Sequence, residues 1–184
     1  TFSQALARLT KLGDKIVSTR VYNMRKAAPE DAVKEQIAEL KSHGTKLLRC
    51  REPGDVNKDL ATILDDAEID GQFDNVSFPF PKPGYKAGSR ESGHNLLCRF
   101  MQQSLPYLKE GGVIQIIMFR NQYAVWDAYS AACEARLELN SVCPVDVTVF
   151  KPFFQDAAPD VCLFSFTRRP VDSVAPTADD KKLW

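Results

Sequence analysis

The segment Gly111 to Phe119 reads Gly-Gly-Val-Ile-Gln-Ile-Ile-Met-Phe, and it contains the most hydrophobic strand that the sequence predicts. Its apolar run is nearly continuous, which is typical of a strand buried on both faces in the middle of a parallel sheet. The two glycines before Val113 predict a turn into that strand. The segment therefore favours an α/β protein whose sheet is covered by helices.

Strands and helices alternate on both sides of this segment. Upstream of it, β-branched or aromatic runs predict strands at Lys15–Val21, Lys46–Cys50 and Phe73–Phe78. Apolar residues at helical spacing predict helices at Phe2–Leu12, Pro29–His43, Asp55–Asp66, Asn95–Leu108 and Gln122–Leu137. Gly44 is the expected cap of the second helix, and Asn95 is expected to cap or open the fourth.

The end of the chain departs from the alternation. Two strands, Val145–Phe150 and Val161–Thr167, are separated by the loop Lys151 to Asp160, which has no helical pattern. We therefore expect an antiparallel last strand on a mostly parallel sheet, in a three-layer sandwich of the Rossmann-like methyltransferase type. Residues 1–169 are predicted to form this one domain, and residues 170–184 a flexible tail.

Composition excludes few classes of protein. The chain carries 24 basic and 24 acidic residues, so its net charge does not indicate a partner. Its first 26 residues hold six basic residues against one acidic residue, either as a solvated helix face or as an RNA-contacting surface. No apolar run is long enough to predict a membrane span.

The five cysteines are far apart and include no Cys-x-x-Cys pair, so the sequence predicts a reducing, intracellular compartment and no metal site. With two histidines and no serine or cysteine in a recognisable nucleophile setting, a hydrolytic triad is not supported. The chain opens at Thr1 inside a helical pattern, and we expect its natural N-terminus to lie upstream.

Candidate site residues follow the predicted strands, because open α/β sheets bind ligands beyond the carboxyl ends of their strands. Glu52 could accept hydrogen bonds from a ribose or an adenine amino group, or be an exposed loop residue. The loop Pro79 to Gly84 could offer Phe80 for a base to stack on, or be a stiff turn that ends a strand. Tyr22-Asn23 and Arg120-Asn121-Gln122 follow two further strands.

Several motifs, taken in order, resemble the large-subunit rRNA uridine-N3 methyltransferase-like family. The residues that carry the resemblance are Thr1-Phe2-Ser3-Gln4-Ala5-Leu6-Ala7-Arg8-Leu9, Gly13 to Thr19, Phe73-Asp74-Asn75-Val76-Ser77-Phe78-Pro79-Phe80-Pro81-Lys82, Asn95-Leu96-Leu97 with Phe100, Gly111 to Ile114, and Tyr123 with Trp126. The resemblance spans roughly residues 1 to 169.

The resemblance implies a class I S-adenosylmethionine-dependent methyltransferase that modifies rRNA, with RNA and ribosome-assembly proteins as partners. It implies a nucleolar, nuclear, cytoplasmic or organellar location. By position it places Phe2, Ser3, Tyr22, Asn23 and Glu52 at the cofactor. Pro79, Phe80, Pro81 and Lys82 border the methyl-transfer site.

Three differences from the family pattern leave a second interpretation open. The first strand of the sheet and its glycines would precede Thr1. Pro79 and Lys82 stand where the family has Asn and His, and Tyr22-Asn23 stands where an acidic residue is expected. The alternative is a catalytically inactive relative that serves as an RNA-binding or ribosome-assembly module.

Overall fold

The computed structural model of the protein describes residues 17–21, 30–44, 46–50, 72–81, 90–146 and 160–170. The chain divides into two compact units, one formed by Thr1–Asp70 with Asp146–Ala158 and the other by Gly71–Val145 with Pro159–Trp184. The helices predicted at Phe2–Leu12 and Asp55–Asp66 lie outside the described residues.

The first unit contains the strands β1 (Val17–Val21) and β2 (Lys46–Cys50) with the helix α1 (Glu30–Ser42) between them in sequence. The strands are parallel and in register from Val17 opposite Lys46 to Val21 opposite Cys50. Gly44 follows α1 with φ of 81° and donates its amide to the Lys41 carbonyl, the glycine cap expected from the sequence. The predicted strand, helix and strand are confirmed here.

The second unit is built on a four-stranded mixed sheet. Its strands are β3 (Phe73–Pro79), β4 (Leu108–Phe119), β5 (Leu137–Pro144) and β6 (Val161–Arg168), in the order β3-β4-β6-β5. β3 and β4 are parallel, whereas β6 runs antiparallel to both β4 and β5. The α/β class and the antiparallel last strand are therefore confirmed.

β4 is buried on both faces, as its sequence predicts. Ile116, Ile117 and Met118 are consecutive and are each at most 4% exposed, and successive side chains of a strand point to opposite faces. β4 is longer than predicted, because it begins at Leu108 and includes Gly111 and Gly112. Gly111 and Gly112 lie in an irregularity of the β3–β4 pairing. Phe73 and Asn75 of β3 are two residues apart, whereas their partners in β4, Leu108 and Val113, are five residues apart.

The helix α2 (Arg90–Ser104) precedes β4 and ends in a 3-10 turn at Leu105–Tyr107. It begins five residues before the expected start at Asn95, so the prediction that Asn95 caps the helix is wrong. Asn95 is exposed in the second turn. The sequence did not predict the true start because the first turn contains Gly93. Glycine inside a helix costs about 1 kcal/mol and is more typical of loops.

The single helix predicted at Gln122–Leu137 is two helices, α3 (Arg120–Val125) and α4 (Ala128–Glu134). The break lies at Asp127, which has φ of 49° and accepts a hydrogen bond from the Ser130 amide as the N-cap of α4. Leu137 then opens β5, which the sequence did not predict. Val145, predicted to open a strand, instead follows β5 and donates its amide to the Val161 carbonyl.

Candidate functional site

The carboxyl end of β3 is anchored to its neighbour β4. Pro79 is the last residue of β3 and lies opposite Ile117. The next residue, Phe80, donates its amide to the Ile117 carbonyl at 2.7 Å, and Pro81 is fully buried. The predicted Pro79 to Pro81 segment therefore leaves the sheet in a fixed direction, while Lys82 lies outside the described residues.

Phe80 holds an unfavourable backbone conformation at this point. Its φ is 51°, in the left-handed region, which costs an ordinary L-residue about 1–2 kcal/mol. The phenyl ring is only partly buried. Residues held in such conformations occur at binding and catalytic sites, and also at turns such as Asp127 and Arg136 of this chain, so the functional interpretation of this loop stays a prediction.

The carboxyl end of β4 carries Arg120, the first residue of α3. Its Nε lies 3.1 Å from Oδ2 of Asp160, and its amide donates to the Asp160 carbonyl at 2.9 Å. Its Nη2 also lies 3.6 Å from Sγ of Cys162. These contacts fix the guanidinium beside the beginning of β6, because Phe119 lies opposite Val161 in the register.

Gln122 closes the first turn of α3. Its Oε1 accepts a hydrogen bond from the Phe119 amide at 3.1 Å, so this side chain stabilises the start of α3. Asn121 is exposed. Of the predicted segment Arg120-Asn121-Gln122, Arg120 is the residue with a charged group at the edge.

A second polar cluster joins α2 to α4. His94 contacts the Asp127 carbonyl through Nδ1 at 3.3 Å and Oε1 of Glu134 through Nε2 at 3.2 Å. Cys98 donates its thiol hydrogen to Oε2 of the same carboxylate at 3.3 Å. Burial, together with Glu134, raises the pKa of the Cys98 thiol to about 11, so this thiol is not a nucleophile at neutral pH.

The aromatic residues of the α3 region are packed into the unit. Tyr123 stacks on Phe164 with ring centroids 4.4 Å apart, and burial raises the pKa of its hydroxyl. That hydroxyl has no hydrogen-bond partner among the described residues. Trp126 lies so close to Gly93 that a Cβ there would come within 2.4 Å of its ring. The sequence could not show the pairing of Gly93 with Trp126, or of His94 with Glu134, because such contacts have no local signature.

The predicted cofactor residues Phe2, Ser3, Tyr22, Asn23 and Glu52 lie outside the described residues. The strands that precede three of them end together, since Val21 lies opposite Cys50 in a parallel pair. Within the described ranges, no group of three His, Cys, Asp or Glu side chains could hold a metal ion. In the same part of the chain, no helix is long and apolar enough to cross a membrane.

Comparison with solved structures identifies the fold. The chain is similar to a methyltransferase from Pyrococcus furiosus, with a TM-score of 0.52 and 10% identity over 84% of this chain and 62% of that one. It also matches a class I S-adenosylmethionine-dependent methyltransferase from Listeria monocytogenes, with a TM-score of 0.49 and 14% identity over 87% of this chain and 46% of that one. The first similarity shows a Rossmann-like methyltransferase fold.

The chain spans less than two thirds of the length of either solved structure. No curated protein matches it. A family model described as rRNA (uridine-N3-)-methyltransferase BTM5-like matches residues 1–156, which is most of the chain. The chain therefore belongs to the BMT5-like family.

Proposed function

We propose that this protein transfers a methyl group from S-adenosylmethionine to a base nitrogen of RNA, and that the base is a uridine of rRNA modified at N3. Membership of the BMT5-like family supports the choice of substrate. The structural observation that carries the proposal is the Pro79 to Pro81 segment, which leaves β3 tied to β4 with Phe80 in the left-handed region.

The residues proposed for the cofactor suit its chemistry. The parallel strands β1 and β2 end side by side at Val21 and Cys50, and beyond such ends open α/β sheets bind nucleotides. The proposed contacts offer a carboxylate at Glu52 and neutral polar groups at Tyr22 and Asn23. These groups can bond ribose hydroxyls and an adenine amino group. When bound, S-adenosylmethionine supplies an electrophilic methyl group.

The loop after β3 contributes by holding the base. A base stacked on an aromatic ring gains about 1–3 kcal/mol, and the partly exposed ring of Phe80 offers such a surface. Pro79 and Pro81 restrict the backbone on both sides of that ring. None of these three side chains can accept a proton, so their proposed role is to hold and orient the base rather than to take up its N3 proton.

In this transfer a bond would form between N3 and the methyl carbon while the bond from that carbon to sulfur breaks, and S-adenosylhomocysteine would leave. The proton of N3 leaves to water. Lys82 would border the same site and place a positive charge near the nucleotide.

Partners and location follow from the same proposal. An enzyme that modifies rRNA would meet it during ribosome assembly, so ribosome-assembly proteins are proposed partners. The nucleolus, the nucleus and the cytoplasm are the proposed locations.

The proposal is tested with the natural protein, unmodified rRNA transcripts and S-adenosylmethionine labelled in its methyl group. We expect saturable cofactor binding by calorimetry and labelled N3-methyluridine after digestion to nucleosides. Asn95→Ala, an exposed change in the middle of α2, should leave both results unaltered. Absence of cofactor binding would overturn the proposal, and RNA binding without turnover would support the inactive RNA-binding alternative.

A further inference from the structure

Arg120 and the proposed methyl-transfer loop lie at the same edge of the sheet, beyond the carboxyl ends of β4 and β3. The Phe80 amide bonds to the Ile117 carbonyl, two residues before the end of β4, and Arg120 directly follows that end as the first residue of α3. The guanidinium contacts Asp160 and Cys162 on the β6 side of β4, so it lies two strand spacings, roughly 10 Å, from the β3 side where Phe80 lies. That span is comparable with the distance between a base and the phosphates of its own nucleotide. RNA that places a base on Phe80 could reach this guanidinium with a phosphate one nucleotide length away.

The guanidinium of Arg120 has two contacts with β6 and its preceding residue, and further donors without a partner among the described residues. Asp160 contacts Nε and Cys162 contacts Nη2, which uses two of the five N–H groups of an arginine. The remaining three have no partner among the described residues. The side chain is 59% exposed, so these donors face solvent.

The other described cations of this unit lie elsewhere. Lys109 follows the first residue of β4, and Arg168 ends β6 opposite Leu137 at the start of β5. Both belong to the edge opposite Phe80, as do Arg136 and Arg169. Arg99 lies nine residues into α2, about 13 Å along the helix axis. Among arginines and lysines whose side chains the structure describes in this unit, Arg120 is the one at the carboxyl edge of β3 and β4.

Asp160 holds this arrangement at a cost in backbone conformation. Its φ is 50°, a region that aspartate tolerates better than most residues but that is still uncommon. The ion pair is exposed on both sides, with Asp160 at 58%, so it adds little to stability. It places the guanidinium of Arg120 against the Asp160 carboxylate, and a guanidinium oriented in advance loses less entropy on binding an anion.

We propose that Arg120 binds a backbone phosphate of the RNA substrate and that Asp160 positions it for this contact. This inference rests on the proposed function, because it takes RNA as the substrate. A guanidinium binds phosphate oxygens through two parallel N–H groups, which the free Nη donors of Arg120 allow. The carboxylate of Asp160 competes weakly with the phosphate for the same charge.

The experiment measures binding of a fluorescein-labelled oligouridine by fluorescence anisotropy over a series of salt concentrations, without S-adenosylmethionine. Arg120→Gln should weaken binding about tenfold or more at low salt. It should also reduce the slope of log K against log salt by about 0.7, the share of one phosphate on a single strand. A loss of fold would not leave a bound complex with a shallower slope.

Two further variants complete the test. Arg99→Gln removes the same charge from the middle of α2 and should leave affinity nearly unchanged. Asp160→Asn keeps an oxygen for Nε of Arg120 and removes a weakly competing charge, so it should keep RNA affinity at or above that of the unaltered protein. Equal effects of Arg120→Gln and Arg99→Gln, an unchanged slope, weaker binding by Asp160→Asn, or no RNA binding by the unaltered protein would each overturn the inference.

Cofactor measurements separate this inference from the proposed function. Calorimetry of S-adenosylmethionine should give the same affinity for Arg120→Gln as for the unaltered protein, and a large loss would assign Arg120 to the cofactor's carboxylate instead. Normal methylation by Arg120→Gln would contradict the inference and leave the proposed function supported. RNA binding that depends on Arg120 in a protein without methylation activity would support the inference and contradict the proposed function.

Discussion

At the residue scale, Phe80 combines a strained backbone with a partly exposed aromatic ring. The strain belongs to its Cβ, because a glycine adopts the same φ of 51° without penalty. The ring is the part that the proposed function uses. The two contributions can therefore be separated by two substitutions at this one position.

Phe80→Ala and Phe80→Gly both remove the ring, and only glycine relieves the strain. We expect both to reduce methyl transfer to a similar extent, about tenfold or more, because each loses the stacking surface. Phe80→Gly should be more stable than Phe80→Ala by about 0.5–1 kcal/mol in urea denaturation, after the greater freedom of glycine in the unfolded chain is counted. A glycine variant with normal turnover would show that the ring does not hold the base.

Cys98 and Cys143 offer a contrast in thiol reactivity within one unit, since the first is buried and the second exposed. The pKa of Cys98 rises from its ordinary 9.0 to about 11, so near neutral pH its thiolate fraction is about 100-fold below that of the same thiol in the unfolded chain. Iodoacetamide labelling followed by peptide mass spectrometry should modify Cys143 first. The labelling rate of Cys98 should continue to rise above pH 9, be half-maximal near pH 11 and level off only above it. Equal rates for the two thiols at neutral pH would contradict the burial and the Glu134 contact.

At the scale of helices and strands, Asp127 determines where α3 ends and α4 begins. It lies in the left-handed region and caps α4 through its side chain at the same time. Asparagine can do both, whereas alanine can do neither. We expect Asp127→Asn to stay within about 0.5 kcal/mol of the unaltered protein and Asp127→Ala to cost about 1–2 kcal/mol in urea denaturation. If alanine is as stable as asparagine, the cap does not contribute to stability.

Four predicted strands and the helix at Glu30–Ser42 are found where expected, whereas the start of α2 and the break between α3 and α4 are not. Continuous or alternating apolar runs identify β1, β2, β3 and β4 because burial selects those side chains directly. The start of α2 was missed because Gly93 signals a loop, although its lack of a Cβ is what lets Trp126 pack there. The break at Asp127 was missed because the apolar residues of α3 and α4 continue at helical spacing across it.

The candidate site, too, is predictable from the sequence only in part. The sequence predicts which residues follow the strands, and the structure places Pro79 to Pro81 and Arg120 at the carboxyl edge of β3 and β4. The contacts of Arg120 with Asp160 and of His94 with Glu134 join residues 40 positions apart, and no short motif encodes them. The roles assigned to Phe2, Ser3, Tyr22, Asn23, Glu52, Pro79, Phe80, Pro81 and Lys82 remain predictions.

At the scale of the whole molecule, β6 joins β5 to β4 in the sheet of the second unit. It is the last strand of the sheet in sequence, yet it lies between β4 and β5. Phe164 and Phe166 of β6 are buried together with Leu97 and Met101 of α2 in one hydrophobic core. The sequence predicts that β6 is antiparallel only because no helical pattern precedes it. The position of β6 between β4 and β5 depends on pairings between residues that are distant along the chain.

This arrangement predicts that the four-stranded sheet opens as one cooperative unit. Phe166 is fully buried, so Phe166→Ala should lower the free energy of unfolding by about 3–5 kcal/mol. Hydrogen exchange should show the same loss of protection in the slowest amides of β4, β5 and β6, because all three strands depend on the core that Phe166 fills. Val125→Ala removes a side chain that is 53% exposed and should leave protection unchanged. A loss confined to β5 and β6 would show that β3 and β4 hold together without the antiparallel strand, and the unit would then comprise two independently opening parts.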